Sequence, residues 1–211
     1  HLLHAALRDV LGEGVRQAGS LVAPEHLRFD FTYGKPLTEN ERERVEGLVD
    51  EWVLRAVPTR ITADRDPKEA IAAGAMALFG EKYGDRVRTV EVPGFSLELC
   101  GGCHVGNTGE IGPFVLRSER GVASGVRRIE ALTGNGALAF LRQRDGELAA
   151  VETALGAAPG HAESELVKLK REIRERDAEL AKMRVQMVSG TASAAEEQVV
   201  AGIRILAREV P

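Results

Sequence analysis

One short stretch holds both cysteines of the 211-residue chain, Glu98-Leu99-Cys100-Gly101-Gly102-Cys103-His104-Val105. Its two adjacent glycines allow a tight turn on which the backbone can fold two thiols and an imidazole toward one point. Two further histidines, His1 and His4, lie far away at the beginning of the chain. Since histidine and cysteine are the usual zinc ligands, the two clusters predict a metal site that the fold closes, rather than one loop.

Composition narrows the class of protein. The chain has a formal net charge of −4, and its two cysteines are too few and too close together for a fold built on disulfides. No apolar run reaches the roughly 18 residues of a membrane span, and no signal segment opens the chain, so we expect a cytoplasmic protein without membrane contact. Arginines far outnumber lysines and cluster at residues 117, 120, 127 and 128, which predicts a locally basic surface able to contact phosphate.

The pattern of apolar residues predicts an α+β fold, with a mixed or antiparallel sheet and packed helices, because strands and helices do not alternate regularly. An amphipathic helix is predicted over residues 1–12. A capping box at Thr38 and Glu41 begins a long helix that Pro58 stops, and Pro67 begins another that runs to about Phe79. Predicted strands cover residues 27–32, 87–92, 95–99, 114–118 and 126–131.

Three segments are predicted along the chain. Residues 1–135 form the α+β domain, residues 136–190 a helical connector with a hinge at 156–160, and residues 191–211 a linker with the truncated start of a further domain. Apolar residues after the hinge follow an a/d pattern over about three heptads. We expect an antiparallel hairpin with the preceding helix, and the alternative is pairing between two chains, which would make a dimer.

The residues alone leave several interpretations of the cysteine stretch open. Cys100, His104 and His1 could supply three zinc ligands. Residues 100–104 also match the attachment pattern of c-type haem, although the aromatic fraction of 4% and the strand-like preceding run argue against haem. A thioredoxin-like redox pair is weaker, because no helix start follows to lower a thiol pKa. A lone buried cysteine is usually a small hydrophobic residue, and a lone histidine at a helix start is usually a cap or a partly buried polar residue.

Several segments together resemble alanyl-tRNA synthetase, in matching order over residues 1 to about 136. They are residues 1–7, 17–22, 27–31 and 74–83, Glu98-Leu99-Cys100-Gly101-Gly102, His104-Val105 and Gly125-Val126-Arg127-Arg128-Ile129-Glu130-Ala131. The resemblance implies the editing portion of an enzyme that ligates alanine to tRNA(Ala) using ATP, without the aminoacylation half. A free-standing editing protein of the same superfamily is the alternative.

The resemblance also implies a ligand set for zinc, a His-x-x-x-His together with a Cys-x-x-x-His. His1 corresponds to the second histidine of the first pair, and the first would lie four residues before it. Cys100 and His104 correspond to the second pair. Cys103 departs from the family's usual threonine and leaves a spare thiol, whereas His4 matches a family histidine that is not a ligand.

The reaction implied by the resemblance is hydrolysis of the ester that joins serine or glycine to tRNA(Ala), because an alanine pocket discriminates poorly against both. Zinc would orient the aminoacyl group and polarise the water or the carbonyl. Gln17 is expected to hydrogen-bond the substrate or water, with an ordinary exposed loop amide as the alternative. Gly101 and Gly102 are expected to let backbone amides approach the ester oxygen, in what is otherwise a plain tight turn.

Three arginines are candidate contacts to the acceptor end of tRNA(Ala): Arg117, Arg127 and Arg128. Neighbouring side chains on a strand face opposite ways, so at most one of Arg127 and Arg128 is expected to meet the RNA. An ion-paired or solvated surface residue is the alternative for each of them. The rival to a hydrolase is a noncatalytic module that binds and spaces tRNA, with its zinc structural or lost.

Overall fold

The computed structural model describes residues 1–77, 84–192, 197–200 and 203–206, with side chains up to residue 188. It divides into two compact units, His1–Gln143 and Arg144–Pro211. The elements in chain order are α1 (Leu2–Leu11), β1 (Gln17–Val22), β2 (Leu27–Thr32), α2 (Glu39–Leu54), β3 (Arg60–Arg65), α3 (Pro67–Ala72), β4 (Val87–Val92), β5 (Ser96–Leu99), β6 (Phe114–Ala123), β7 (Val126–Thr133), α4 (Gly134–Leu155), α5 (Ala162–Ala192), β8 (Glu197–Val200) and β9 (Ile203–Leu206). Helices and antiparallel sheets together confirm the predicted α+β class.

The first unit contains two antiparallel sheets. The larger has the strand order β1-β2-β7-β6 and the smaller the order β3-β4-β5. One buried core joins the apolar faces of α1 and α2 to the larger sheet, with Leu7 of α1, Val45 of α2, Phe31 of β2 and Ile129 of β7 all fully buried. Because α1 is held by this core, the residue at its start has a fixed position relative to both sheets.

The beginnings and ends of α1 and α2 follow from local sequence. Helix α1 ends before Gly12, whose φ of 103° suits a residue without Cβ. Helix α2 begins at a capping box in which the Thr38 hydroxyl accepts from the Glu41 N–H and the Glu41 carboxylate accepts from the Thr38 N–H. The predicted starts and periodicities of these two helices are therefore confirmed.

The helix that begins at Pro67 is shorter than predicted, because it ends at Ala72 rather than near Phe79. Gly74 adopts a left-handed φ of 95°, and the chain then extends so that Met76 pairs with Glu98 beside β5. Tertiary pairing outweighs the helical preference of the alanine-rich run. Phe79 itself lies outside the described residues.

Two strands of this unit are absent from the prediction. Both β1 and β3 are edge strands, and neither shows a clean alternation of buried and exposed residues. The four predicted strands that follow residue 86 are present, although β6 and β7 run longer than expected and β5 begins at Ser96.

Both predicted helices of the connector are present as α4 and α5, with the break between them at residues 156–161. Most side chains of their apolar stripes are each at least 36% exposed. They are Leu138, Leu141, Leu148 and Val151 on α4, and Leu166, Leu169, Ile173, Leu180 and Met183 on α5. The pairing of these stripes, within one chain or between two, stays a prediction. The segment predicted as a linker and the start of a further domain contains β8 and β9, which pair antiparallel. None of the described helices combines the length and the apolar character needed to span a bilayer.

Candidate metal centre

Three side chains from distant parts of the first unit converge on one point. His1 stands at the start of α1, and Cys100 and His104 flank the glycine turn that follows β5. One ligand atom of each lies within 4.8 Å of the other two. The His104 Nε2 is 3.2 Å from the Cys100 Sγ, and the rings of His1 and His104 stack with centroids 4.8 Å apart. The fold thus brings together the residues that the sequence singles out as zinc ligands.

A buried carboxylate, which sequence analysis did not assign, orients the first of these ligands. Glu98 on β5 places one oxygen 2.8 Å from the His1 Nδ1 and the other 3.3 Å from the His4 Nδ1. The Ser96 hydroxyl donates to the same carboxylate. Because Nδ1 of His1 faces Glu98, its Nε2 is left to face the cluster, as in sites where a carboxylate holds a metal-binding histidine. The available signal was an acidic residue between two leucines of a strand, two residues before a cysteine.

His1, Glu98 and His104 shift one another's pKa values. Burial acts to lower the pKa of His1, but the hydrogen bond and the negative charge of Glu98 outweigh it and raise the value to about 8. Burial alone would raise the pKa of Glu98, whereas the hydrogen bonds from His1 and His4 hold it well below its usual range. Burial, followed by the charge of His1, lowers the pKa of His104, which favours the neutral imidazole that a metal needs.

Two observations show that the cluster fits a cation. The His1 Nε2 is buried and has no hydrogen-bond partner among the described residues, which is costly unless something binds it. A Cβ at Gly102 would lie 3.5 Å from both the Cys100 Sγ and the His104 Nε2, so the glycine leaves open the space beside these atoms. In the described part of the chain, these three residues are the one group of metal-ligand type and spacing. Imidazole and thiolate donors in this set suit zinc.

The two thiols of the turn have different environments. Cys100 is half-buried against His104 and receives the Gly102 N–H on its sulfur at 3.4 Å, whereas Cys103 is an exposed free thiol. A short 3₁₀ helix follows only at Thr108–Ile111, so no helix start lies at the cysteines to depress a thiol pKa. The environments favour Cys100, not Cys103, as the partner of His104.

A cleft of about 770 Å³ opens beside the cluster. Its lining includes His1, Cys100, Gly102 and His104 together with Gln17. Gln17 belongs to β1 rather than to a loop, and its Nε2 donates to the Ser20 hydroxyl at 2.9 Å. Gly101, by contrast, is not among the lining residues, and no described atom lies within 4 Å of the position that a Cβ would take there. The structure therefore places Gln17 and Gly102 at the cleft, and Gly101 at the solvent side of the turn.

The candidate RNA-binding arginines are arranged differently from the cleft residues. Arg127 forms a two-pronged ion pair with Glu119, and Arg128 forms another with Asp30, both of whose bonds measure 2.7 Å. The ion-paired alternative is thus observed for both residues. Arg117 is exposed, and none of the three arginines is among the residues that line the cleft. Contact with RNA stays a prediction, and the geometry favours Arg117 for it.

The sequence of the chain is similar to that of aminoacyl-tRNA synthetases. The family described as "Threonyl and Alanyl tRNA synthetase second additional domain" matches residues 87–130. A protein named alanine–tRNA ligase from Thermotoga maritima is 51% identical over 185 residues, which cover 88% of this chain and 21% of the relative. Proteins of the same name from Thermus thermophilus and Shouchella clausii are 48% and 46% identical over the whole chain and 25% and 24% of their own lengths. The chain thus spans about a quarter or less of the curated relatives it matches.

Proposed function

Because the chain is homologous to a portion of alanyl-tRNA synthetase, as its sequence predicts, we propose that it hydrolyses the ester joining serine or glycine to tRNA(Ala). The observation that carries the proposal is the convergence of His1, Cys100 and His104 on the wall of a large cleft. An alanine-activating site cannot strongly reject a smaller amino acid or one with an added hydroxyl, and a separate hydrolytic site supplies the missing selectivity.

Zinc held by these three residues would supply a Lewis acid that polarises the ester carbonyl or a water molecule. Glu98 holds the Nδ1 of His1, so that the Nε2 is presented to the cation in a fixed tautomer. The Gly102 N–H donates to the Cys100 sulfur, which stabilises the thiolate form. This N–H would therefore act on the ligand rather than directly on the ester oxygen.

Gln17 would orient the reacting group from β1. Its Nε2 donates to the Ser20 hydroxyl, and its Oε1 would accept a hydrogen bond from a group in the cleft. A substrate ammonium, a substrate hydroxyl or the attacking water could each donate to that oxygen. Gln17 is therefore proposed to position the substrate or the water, and not to transfer a proton.

The size of the cleft suits the end of an aminoacylated RNA. Its volume of about 770 Å³ lies within the range of about 300–1,000 Å³ that is typical of small-molecule sites. A terminal aminoacyl-nucleoside of tRNA(Ala) would fill such a space, while the rest of the acceptor end stayed outside. As part of an alanine–tRNA ligase, the chain would act in the cytoplasm beside the ATP-dependent ligation site.

The proposal is tested by deacylation of seryl-tRNA(Ala) and glycyl-tRNA(Ala), with the metal content measured on the same samples. We expect zinc-dependent release of the amino acid. The deacylation rate of Cys100→Ala should fall by about 100-fold or more, because one of the three zinc ligands is removed. Cys103→Ala is the matched control and should keep the metal, since its thiol is exposed and outside the cluster. Hydrolysis that survives both a chelator and Cys100→Ala would defeat the metal-dependent reaction, and tRNA binding without hydrolysis would favour a noncatalytic module.

A further inference from the structure

Arg88 on β4 holds the glycine turn of the candidate metal centre at two points. Its backbone C=O accepts the Cys100 N–H at 3.0 Å, which extends the β4–β5 ladder one residue beyond the end of β5. Its guanidinium donates through Nη2 to the C=O of Gly102. One residue therefore contacts the chain both at the first ligand of the turn and two residues later.

Gly102 is fixed at both of its backbone polar groups as a result. Its N–H donates to the Cys100 sulfur, and its C=O accepts from Arg88. The N–H belongs to the peptide unit before Gly102 and the C=O to the unit after it, so neither unit can rotate without breaking one of these bonds. Because His104 follows two residues later, the orientation of Gly102 sets the direction from which the His104 ring approaches the Cys100 sulfur.

The environment of Arg88 differs from that of a neighbouring arginine. Arg86 is exposed and forms an ion pair with Asp64 at 2.7 Å. Arg88 is half-buried, its Nε is buried without a hydrogen-bond partner, and it forms no ion pair with a carboxylate among the described residues. A buried Nε without a hydrogen-bond partner costs free energy that the exposed Arg86 does not incur, so the contact with the turn sets Arg88 apart.

We propose that Arg88 is a positioning residue of the metal centre, which keeps Cys100 and His104 converged on one cation by clamping the Gly102 carbonyl. The proposal rests on the metal site of the proposed function. Residues that fix metal ligands from outside the ligand set typically change metal affinity or activity by about 10- to 100-fold when they are lost. Arg88 is assigned to this class and not to the residues that touch the substrate.

The test compares Arg88→Met, Arg88→Lys and Arg86→Met in the full 211-residue chain. Zinc affinity is measured by competition with a chromophoric chelator, the kcat and KM of seryl-tRNA(Ala) deacylation are measured separately, and the melting temperature is recorded on metal-free protein. We expect Arg88→Met to weaken zinc binding by about 10- to 100-fold and to lower kcat, with KM within about twofold. Arg88→Lys keeps a donor for the Gly102 carbonyl and should stay within about threefold of the original protein.

Arg86→Met should match the original protein in zinc affinity, kcat and KM, because its guanidinium forms an exposed ion pair with Asp64 and not a bond to the turn. Unchanged zinc affinity in Arg88→Met would overturn the proposal. So would a raised KM at unchanged kcat, which would indicate contact with RNA, or an equal loss in Arg86→Met. A fall in the metal-free melting temperature that accounts for the whole loss would assign Arg88 to the fold alone. If the original protein binds zinc but releases no amino acid, the proposed function fails while the zinc measurements still decide the role of Arg88.

Discussion

Replacing Gly102 by alanine should impair the metal centre without destabilising the fold. The added Cβ would lie 3.5 Å from the Cys100 Sγ and 3.5 Å from the His104 Nε2, which are ordinary van der Waals contacts that require no backbone shift. The methyl group would nevertheless touch both ligand atoms, which a zinc ion must approach to about 2.0–2.3 Å. A displacement of about 1 Å in a reacting group can cost about 100-fold in rate, so we expect a 10- to 100-fold loss of deacylation.

The folding stability of the same variant should move in the opposite direction. Alanine restricts the unfolded chain more than glycine does, which stabilises a protein by about 0.4–1 kcal/mol where the native backbone is compatible. The metal-free melting temperature of Gly102→Ala should therefore be unchanged or slightly raised. Gly101→Ala is the matched control, because nothing lies within 4 Å of its Cβ position and the same entropic effect applies. The assays are zinc affinity, deacylation rate and thermal unfolding on both variants. Equal zinc affinity and activity in the two variants would refute the reasoning.

Three further predictions concern the residues around the site and the fold that carries it. Glu98→Gln should weaken zinc binding by about 10- to 100-fold in a chelator competition, because the amide holds His1 less firmly in its tautomer. In metal-free protein, the stability contributed by His1 is complete below its ordinary pKa of 6.5 and is lost as the pH rises through about 8, so the melting temperature should fall between about pH 7 and about pH 9. The same pH scan of Glu98→Gln should be flatter, and an equal slope would show that another group titrates. Thr38→Ala removes the cap of α2 and should lower the free energy of unfolding by about 1 kcal/mol in urea denaturation.

Elements with a strong local signal could be predicted from the sequence, and elements that depend on their neighbours could not. The capping box of α2 and the periodicity of α1 depend only on residues three or four positions apart in sequence, and both helices are present. Strand β1, in contrast, contains Ala18 and Gly19 and lies at a sheet edge, so pairing with β2 rather than its own pattern determines it. The predicted length of α3 was too great for the same reason, because the residues after Ala72 pair beside β5 instead of continuing the helix.

The charge pairs of the larger sheet show the same limit. The alternation of a strand predicts Arg127 and Arg128 on opposite faces but does not predict their partners. Arg128 lies directly opposite Asp30 in the register of β2 and β7, and Arg127 reaches Glu119 on β6. Which carboxylates lie opposite these arginines depends on two registers that no local pattern specifies. Two neighbouring arginines of the basic cluster thus form ion pairs in the fold instead of a free basic surface.

The metal ligands of the site could be predicted from residue type, whereas the residue that orients them could be identified only from the fold. The cluster of histidine and cysteine already indicates metal ligands in the sequence, but Glu98 acquires its role only because β5 passes beside the start of α1. His1 is carried by a helix buried in the main core, and Cys100 continues the smaller sheet. A cation bound between them would therefore link α1 to that sheet, so its binding free energy would also stabilise the packing of these elements. The distance between the two motifs in sequence is what makes the centre dependent on the folded state, since no unfolded chain could hold the three ligands together.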